Sequence, residues 1–286
     1  MILIVGATGS LGSAVTHMLL AQGKPVRILA RPQSNYKPLQ SAGAEVVLGD
    51  LKDPASLDAA CRGVDTVITT ANSAQRGGED NVENVDLKGN RDLIDAARRA
   101  RVKQFIFVSV LGASPESPVP FLAAKGQTDK YLIDSGLPYT ILSPDSFLEF
   151  WVADFVGRPA LAGAPVTLVG EGKRVHSMIS ARDVAQFIVA AIGNPQALNR
   201  LIPLGGPQAI SYHDVIAAYE HELGRPISVQ FVPPGSSIPG MPDAVSGLAS
   251  MLDMYDSPVK MDETARIFNV RMTSLQEFVH STIQPR

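Results

Sequence analysis

Cysteine is almost missing from this chain: Cys61 stands alone among 286 residues, and one thiol cannot close an internal disulfide. No oxidising compartment is required. With Met1 directly before the first apolar run there is no room for a signal peptide, so the cytoplasm is the expected location. Long apolar runs are missing as well, none approaching the roughly 18 residues that a membrane-spanning helix needs. An excess of one charge is missing too: 25 Lys and Arg face 28 Asp and Glu for a net charge of −3. The basic residues are scattered rather than clustered, so neither nucleic acid nor a membrane surface is an expected partner. The five histidines form no cluster with cysteine or paired carboxylates, and no metal is expected. What is left is a chain whose expected partner is a small molecule. It is long enough for one large α/β domain or a main domain with a smaller lobe, and a homo-oligomer stays open.

What the chain does have begins at its start. Ile2-Leu3-Ile4-Val5 runs into Gly6-Ala7-Thr8-Gly9-Ser10-Leu11-Gly12 and then into an apolar helical stretch, which reads as strand, glycine turn and helix N-terminus. Gly6 permits the tight turn, Gly9 lets the backbone approach a pyrophosphate, and Gly12 allows helix and strand to pack closely. The backbone N–H groups of Thr8, Ser10 and Leu11 fall where a helix start receives an anion. A dinucleotide is the expected tenant, although the spacing is G-x-x-G-x-x-G rather than G-x-G-x-x-G.

Strand-like runs at 2–5, 25–30, 45–48, 65–70, 104–109 and 138–142 alternate with helical patterns near 11–22, 54–61, 81–100 and 120–135. That order predicts a parallel sheet of the Rossmann type, doubly wound, over residues 1–144. Asp53-Pro54 supplies a cap and a first-turn proline. Beyond 144 the rhythm loosens. Short strands at 166–169, 177–180, 200–204 and 227–231 mix with helices near 182–193, 211–223, 262–268 and 273–283, predicting a smaller mixed α/β substrate lobe over 145–286, interleaved with the first domain. Asp183 is expected to cap the helix at Val184. Residues 232–242 are too rich in proline and glycine for regular structure and lead to the Met-containing stretch from Leu248 to Met254; closing over substrate and packing on the surface are both open roles.

At the end of the second strand, where an acidic residue would select NAD, the chain carries Arg31. A guanidinium suits a 2′-phosphate, so NADP(H) is favoured over NAD(H), the alternative being an arginine that ends a strand in solvent. After the third strand, Asp50 can accept from an adenine amino group while Leu51 packs on the ring, or Asp50 is a turn residue. Thr70, Ala71 and Asn72 follow the fourth strand with side chains small enough to admit a ligand.

Together these features resemble the atypical short-chain dehydrogenases/reductases, and within them the NmrA-like group that includes proteins of the triphenylmethane-reductase and quinone-reductase types and photosynthetic assembly-factor relatives. The resemblance runs through Gly6 to Gly12, Arg31, Gly49-Asp50-Leu51, Asn84-Val85-Asp86, Gly89-Asn90, Phe105 to Ser109, Lys125, Leu137 to Ile141 and Ser180 to Ala185. It implies a catalytic centre of serine followed by Tyr-x-x-x-Lys. Ser109 and Lys125 are present, but the tyrosine position holds Phe121, which cannot donate a proton to a forming alkoxide. Phe121 then walls the nicotinamide pocket, and Lys125, one turn away on the same face, points at ribose hydroxyls. Two chemistries remain: Lys125 as proton donor with a lowered pKa, or an electron-poor acceptor that collects its proton from water. Pro144 joins the cofactor-binding set. Beyond it, Phe147, Phe150 and Trp151 gather where the family turns toward the nicotinamide, and one or two of them can stack on a planar substrate. His176 is a candidate pocket residue.

The resemblance implies an NADPH-dependent reductase acting on a small, planar, conjugated acceptor. The alternative it implies is a non-catalytic NAD(P)-binding regulator or assembly factor. A nucleotide-sugar epimerase would need the missing tyrosine.

Overall fold

Why the first strand is buried on both faces follows from its neighbours. The computed structural model describes residues 1–74 and 76–284. In it β1 (Ile2–Val5) lies between β2 (Val26–Ala30) and β4 (Thr66–Thr69), parallel to both. A central parallel strand has no solvent face, which is why its sequence is an unbroken apolar run rather than an alternation. β3 (Glu45–Leu48), β5 (Gln104–Val108) and β6 (Tyr139–Pro144) extend the parallel pairing, and β8 (Arg200–Leu204) lies beyond β6. The order of the seven strands is β3-β2-β1-β4-β5-β6-β8. Strand order reverses between β1 and β4, the switch point at which an open parallel sheet binds ligands outside its carboxyl edge. The crossovers are made by α1 (Ser10–Ala21), α2 (Lys37–Ser41), α3 (Pro54–Cys61), α4 (Asn90–Arg99) and α5 (Pro120–Asp134). Asp53 caps α3 by accepting from the Ala55 N–H at 3.1 Å, as its position before Pro54 predicts. Cys61, the last residue of α3, is buried, and burial pushes its thiol up to about 12.

The pattern expected as one helix over 81–100 is two windings. Val82–Gly89 is a wide π-helical segment, and α4 continues from it. The buried Asn90 amide donates to the carbonyls of Val85 at 2.9 Å and Asp86 at 3.4 Å, and its oxygen accepts from Thr69 Oγ1 at 3.0 Å. A side chain that inserts into the carbonyl ladder in this way accommodates the extra residue per turn.

The chain divides into two compact units. The first comprises Met1–Pro144, Val184–Pro203 and Ile267–Val270, with a core including Leu3, Val5, Leu57, Val67, Leu93 and Phe105. The second comprises Asp145–Asp183, Leu204–Arg266 and the stretch from Arg271. It contains a second π-helical segment (Glu149–Gly157), α6 (Arg158–Leu161) and a two-stranded parallel sheet of β7 (Val166–Val169) and β9 (Val229–Val232). Its helices include α8 (Tyr212–Leu223), α9 (Asp243–Leu252) and α11 (Leu275–Ile283), while α7 (Ala181–Ala191) and α10 (Asp262–Phe268) span the division.

Two expectations need correction here. Residues 177–180 form no strand: Ile179 bridges Phe147 singly, and the Ser177 carbonyl accepts from Gly206 at 2.8 Å. The segment is bonded to loops on both sides, so no ladder grows. Asp183 is not a cap. Ser180 Oγ accepts from the Asp183 N–H at 3.1 Å, and the Asp183 carboxylate receives Thr273 N at 2.7 Å and Thr273 Oγ1 at 2.9 Å. The proline- and glycine-rich stretch before α9 is irregular as expected; it buries Ile238, whose N–H donates to Ser246 Oγ at 3.0 Å. Among the described residues no helix is long and apolar enough to cross a membrane.

Candidate functional site

Six of the expected positions, Gly6, Arg31, Asp50, Thr70, Ser109 and Pro144, lie at or just beyond the carboxyl ends of β1 to β6, one row along a single sheet edge. The glycine turn shows three different constraints. Gly6 has φ +86°, and a Cβ there would lie 2.7 Å from Thr70 Oγ1 and 2.8 Å from the Ala71 nitrogen, so β1 and β4 end in contact. A Cβ on Gly12 would lie 2.3 Å from the Gly6 carbonyl oxygen. Gly9 is exposed, and its added Cβ would meet only that same oxygen, at 3.4 Å. Gly9 is also the N-cap of α1 and carries no side-chain cap, and the first turn of α1 has no acidic residue. The N–H groups that open a helix have no partner within it, so this end combines unpaired donors, a positive dipole and an open surface over Gly9. The residues present fit a pyrophosphate.

Arg31 does not end its strand in free solvent. Its Nη1 donates to Asp80 Oδ2 at 2.5 Å, and Lys52 Nζ donates to Asp80 Oδ1 at 2.8 Å. These two cations hold the Asp80 carboxyl well below its ordinary range, at about 2. Asp50 accepts from the Lys52 N–H at 2.9 Å, forming an Asx turn. Leu51 is buried in the first core, tight against Gly89. Thr70 and Ala71 are half-buried beside Gly6, and Asn72 is exposed, with its Oδ1 accepting from the Ala74 N–H at 3.1 Å. The Pro144 carbonyl accepts from Leu111 at 2.8 Å.

Lys125 does not project into solvent from α5: it is 2% exposed. Its Nζ lies 3.3 Å from the Val108 carbonyl oxygen and 3.4 Å from Asp86 Oδ1, and 4.8 Å and 5.7 Å from the ring centres of Phe107 and Phe121. Burial lowers its affinity for a proton, opposed by the Asp86 and Asp129 carboxylates. Asp86 is itself fixed, its Oδ2 accepting from Ser73 N at 3.0 Å and Ser73 Oγ at 2.5 Å. Ser109 Oγ donates to Asp129 Oδ2 at 2.8 Å, and burial pushes the Asp129 carboxyl up to about 6. Phe121 is half-buried.

Phe147, Trp151 and His176 belong to the second unit. Trp151 is packed in its core, edge-on to Phe150 at 5.0 Å and Phe155 at 5.5 Å. His176 is buried with both ring nitrogens occupied, Nδ1 by Ser257 Oγ at 2.7 Å and Nε2 by the Leu252 carbonyl at 3.0 Å. Ser257 Oγ in turn donates to Asp145 at 2.8 Å. The cavity that His176 lines has a volume of about 10 Å³, the space of one water. Phe147 is half-buried. No group of three or more His, Cys, Asp and Glu suited to a metal occurs among the described residues.

Sequence reasoning missed Lys52, Ser73, Asp80 and Asp129, and gave Asp86 no role. Asp129 was within reach, since it stands as far after Lys125 on α5 as Phe121 stands before it. Asp80 carried no local signal.

Residues 6–195 match the sequence model of a family described as NAD(P)H-binding. The photosystem II assembly factor Ycf39 of Cyanophora paradoxa is 33% identical over 232 residues, covering 81% of this chain and 71% of that protein. An NAD(P)H azoreductase of Xenophilus azovorans is 33% identical over 229 residues, covering 79% and 75%. Two solved structures share the fold across 99% of this chain and 100% of theirs: the NADPH complex of the Escherichia coli quinone oxidoreductase QOR2 (TM-score 0.81, 23% identity) and the NADP(H) complex of the Citrobacter sp. triphenylmethane reductase (TM-score 0.82, 19% identity).

Proposed function

Since this chain belongs to the NAD(P)H-binding family whose model it matches, we propose that it is an NADPH-dependent reductase passing hydride to a small, planar, conjugated acceptor such as a quinone, a dye or an enone. The observation that carries this reading is the uncapped, acid-free start of α1 over the open Gly9, set in a first unit that keeps Lys125 but has Phe121 at the tyrosine position. When bound, NADPH supplies the hydride. The chain's residues bind and orient it. The Gly6 to Gly12 turn takes the pyrophosphate, Arg31 the 2′-phosphate and Asp50 the adenine end, with Thr70, Ala71, Asn72, Ser109 and Pro144 completing the seat. Phe121 is the aromatic wall that the first unit offers to the acceptor. In this reading the cofactor is bound by the Met1–Pro144 part of the first unit.

The proton comes from solvent. Phe121 has none to give, and the Lys125 ammonium is committed to the Val108 carbonyl and Asp86; Lys125 acts as a positioning residue that ties α5 to β5 and to the π-helical segment. Electron-poor conjugated acceptors suit such a site because the reduced anion needs no enzymic acid.

One observation favours a second reading, a dinucleotide-binding assembly factor that works without turnover. Ser109 and Lys125 are both engaged internally, and the likeness to an assembly factor points the same way. Oxidation of NADPH, with and without oxygen, against quinones, azo and triphenylmethane dyes, enones and imines separates the two. Oxidation with at least one acceptor class is expected, and Phe121→Tyr should leave its turnover within about threefold, because the added hydroxyl supplies only what water already supplies. Tight NADPH binding with no acceptor reduced would overturn the reductase and leave the assembly factor.

A further inference from the structure

Asp80, which meets Arg31 at the ligand edge of the first unit, makes ionic contacts with three cations. Its Oδ2 receives Arg31 at 2.5 Å and Arg76 at 3.4 Å, and its Oδ1 receives Lys52 at 2.8 Å. Three cations therefore converge on a single negative charge. Two other acids act on Lys52 more weakly: Glu79 reaches it only at 4.0 Å and is 93% exposed, and Asp50, which accepts from the Lys52 backbone N–H, favours its charge without a side-chain contact. Arg31 comes from the end of β2 and Lys52 from beyond β3, so no local turn accounts for their meeting at Asp80, whereas Arg76 stands four residues before Asp80 and adds a local contact.

From this convergence we propose that Asp80 is a resident competitor for the 2′-phosphate: it occupies the seat that Arg31, Lys52 and Arg76 form and must be displaced when NADPH binds. The proposal rests on the NADPH reading above and deepens it. A phosphomonoester carries about −1.5 to −2 charges and three acceptor oxygens near neutral pH. It matches three cations better than a carboxylate, which makes two of them share one oxygen. Displacement has a structural route. The segment bearing Asp80 is anchored at Ser73 by the Asp86 carboxylate and at Asn81, whose side chain accepts from the Asn84 N–H at 2.9 Å; the Asn81 amide also donates to the Gly78 carbonyl at 3.2 Å and the Asn84 amide to the Glu79 carbonyl at 3.0 Å, two bonds that displacement must break. Between these anchors Gly77 and Gly78 have nothing within 4 Å of an added Cβ, and Gly78 has φ +63°. NADH carries no group that would displace the carboxylate. The selectivity that Arg31 announces is therefore held back by Asp80, and Lys52 is a second determinant of it.

The experiment is the ratio of the NADH and NADPH dissociation constants, measured by fluorescence titration for wild type, Asp80→Asn and Lys52→Met, with circular dichroism to establish folding. Asp80→Asn is isosteric and should raise the preference for NADPH at least tenfold above wild type; Lys52→Met should lower it. If wild type prefers NADPH and Asp80→Asn keeps or reduces that preference, Asp80 organises the cations rather than competing for them, and this inference fails while the cofactor reading stands. If neither wild type nor Asp80→Asn distinguishes the two dinucleotides, the NADPH reading itself falls and takes the inference with it.

Discussion

A β-carbon added at Gly12 would sit 2.3 Å from the Gly6 carbonyl oxygen, whereas one added at Gly9 would sit 3.4 Å from the same atom. The two glycines of one turn thus stand under different constraints: the packing of α1 on β1 excludes a side chain at Gly12, whereas a β-carbon at Gly9 meets only an ordinary contact. Gly12→Ala forces backbone apart and should cost roughly 1–3 kcal/mol, a fall of several degrees in Tm for a chain of this size. Gly9→Val should melt close to wild type yet lose NADPH affinity by a hundredfold or more, since a branched side chain fills the pyrophosphate's space. Thermal melts and cofactor titrations of both variants read the contrast; equal loss of stability would make Gly9 a folding residue. At this scale the sequence was readable wherever the chemistry is local. Gly6, Gly12 and Arg31 stand where a strand-turn-helix unit puts them. Asp80 was unreadable because its meeting with Arg31 spans a separation of 49 residues and depends on the path of an irregular segment.

Along α5, Phe121, Lys125 and Asp129 follow one another at one-turn intervals, and all of Lys125 and most of Asp129 are sealed against the sheet. Asp129 is the titrating member. Its carboxyl stands at about 6 in the folded protein because burial disfavours the charge, against about 3.9 in an unfolded chain. Between those values the native state binds more protons than the unfolded one. The contribution to stability is fully present below about pH 4 and is lost as pH rises through 6, leaving a cost on the order of 2–3 kcal/mol at pH 8. Asp129→Asn keeps an acceptor for the Ser109 hydroxyl and should melt higher than wild type at pH 8, the difference narrowing toward pH 4. A constant difference across that range would mean that Asp129 is ionised throughout. Elements with a strong period were legible in outline, α3 with its Asp53 cap being the clearest. The π-helical winding before α4 was not, because it follows from the buried Asn90 amide meeting Val85 and Asp86, a tertiary environment that no hydrophobic period encodes.

For the molecule as a whole, alternation of strand and helix was enough to anticipate the parallel sheet, since each crossover must cover the face it leaves. The division of the chain was harder to read. Val184–Pro203 and Ile267–Val270 return to the first unit from the midst of the second, and return segments this short carry no compositional mark. One residue reports on the first unit by itself. Cys61 is buried at the end of α3 with its thiol pushed up to about 12, so in the closed state it offers a disulfide reagent neither access nor thiolate. Being the sole cysteine, it makes the labelling rate of the whole protein a clock for the opening of that region. Modification should run orders of magnitude slower than in urea-unfolded chain. If the reactive state is one in which the cofactor seat has opened too, NADPH at 100 times its dissociation constant should slow the clock about 100-fold, and a rate indifferent to NADPH would assign the opening to α3 alone.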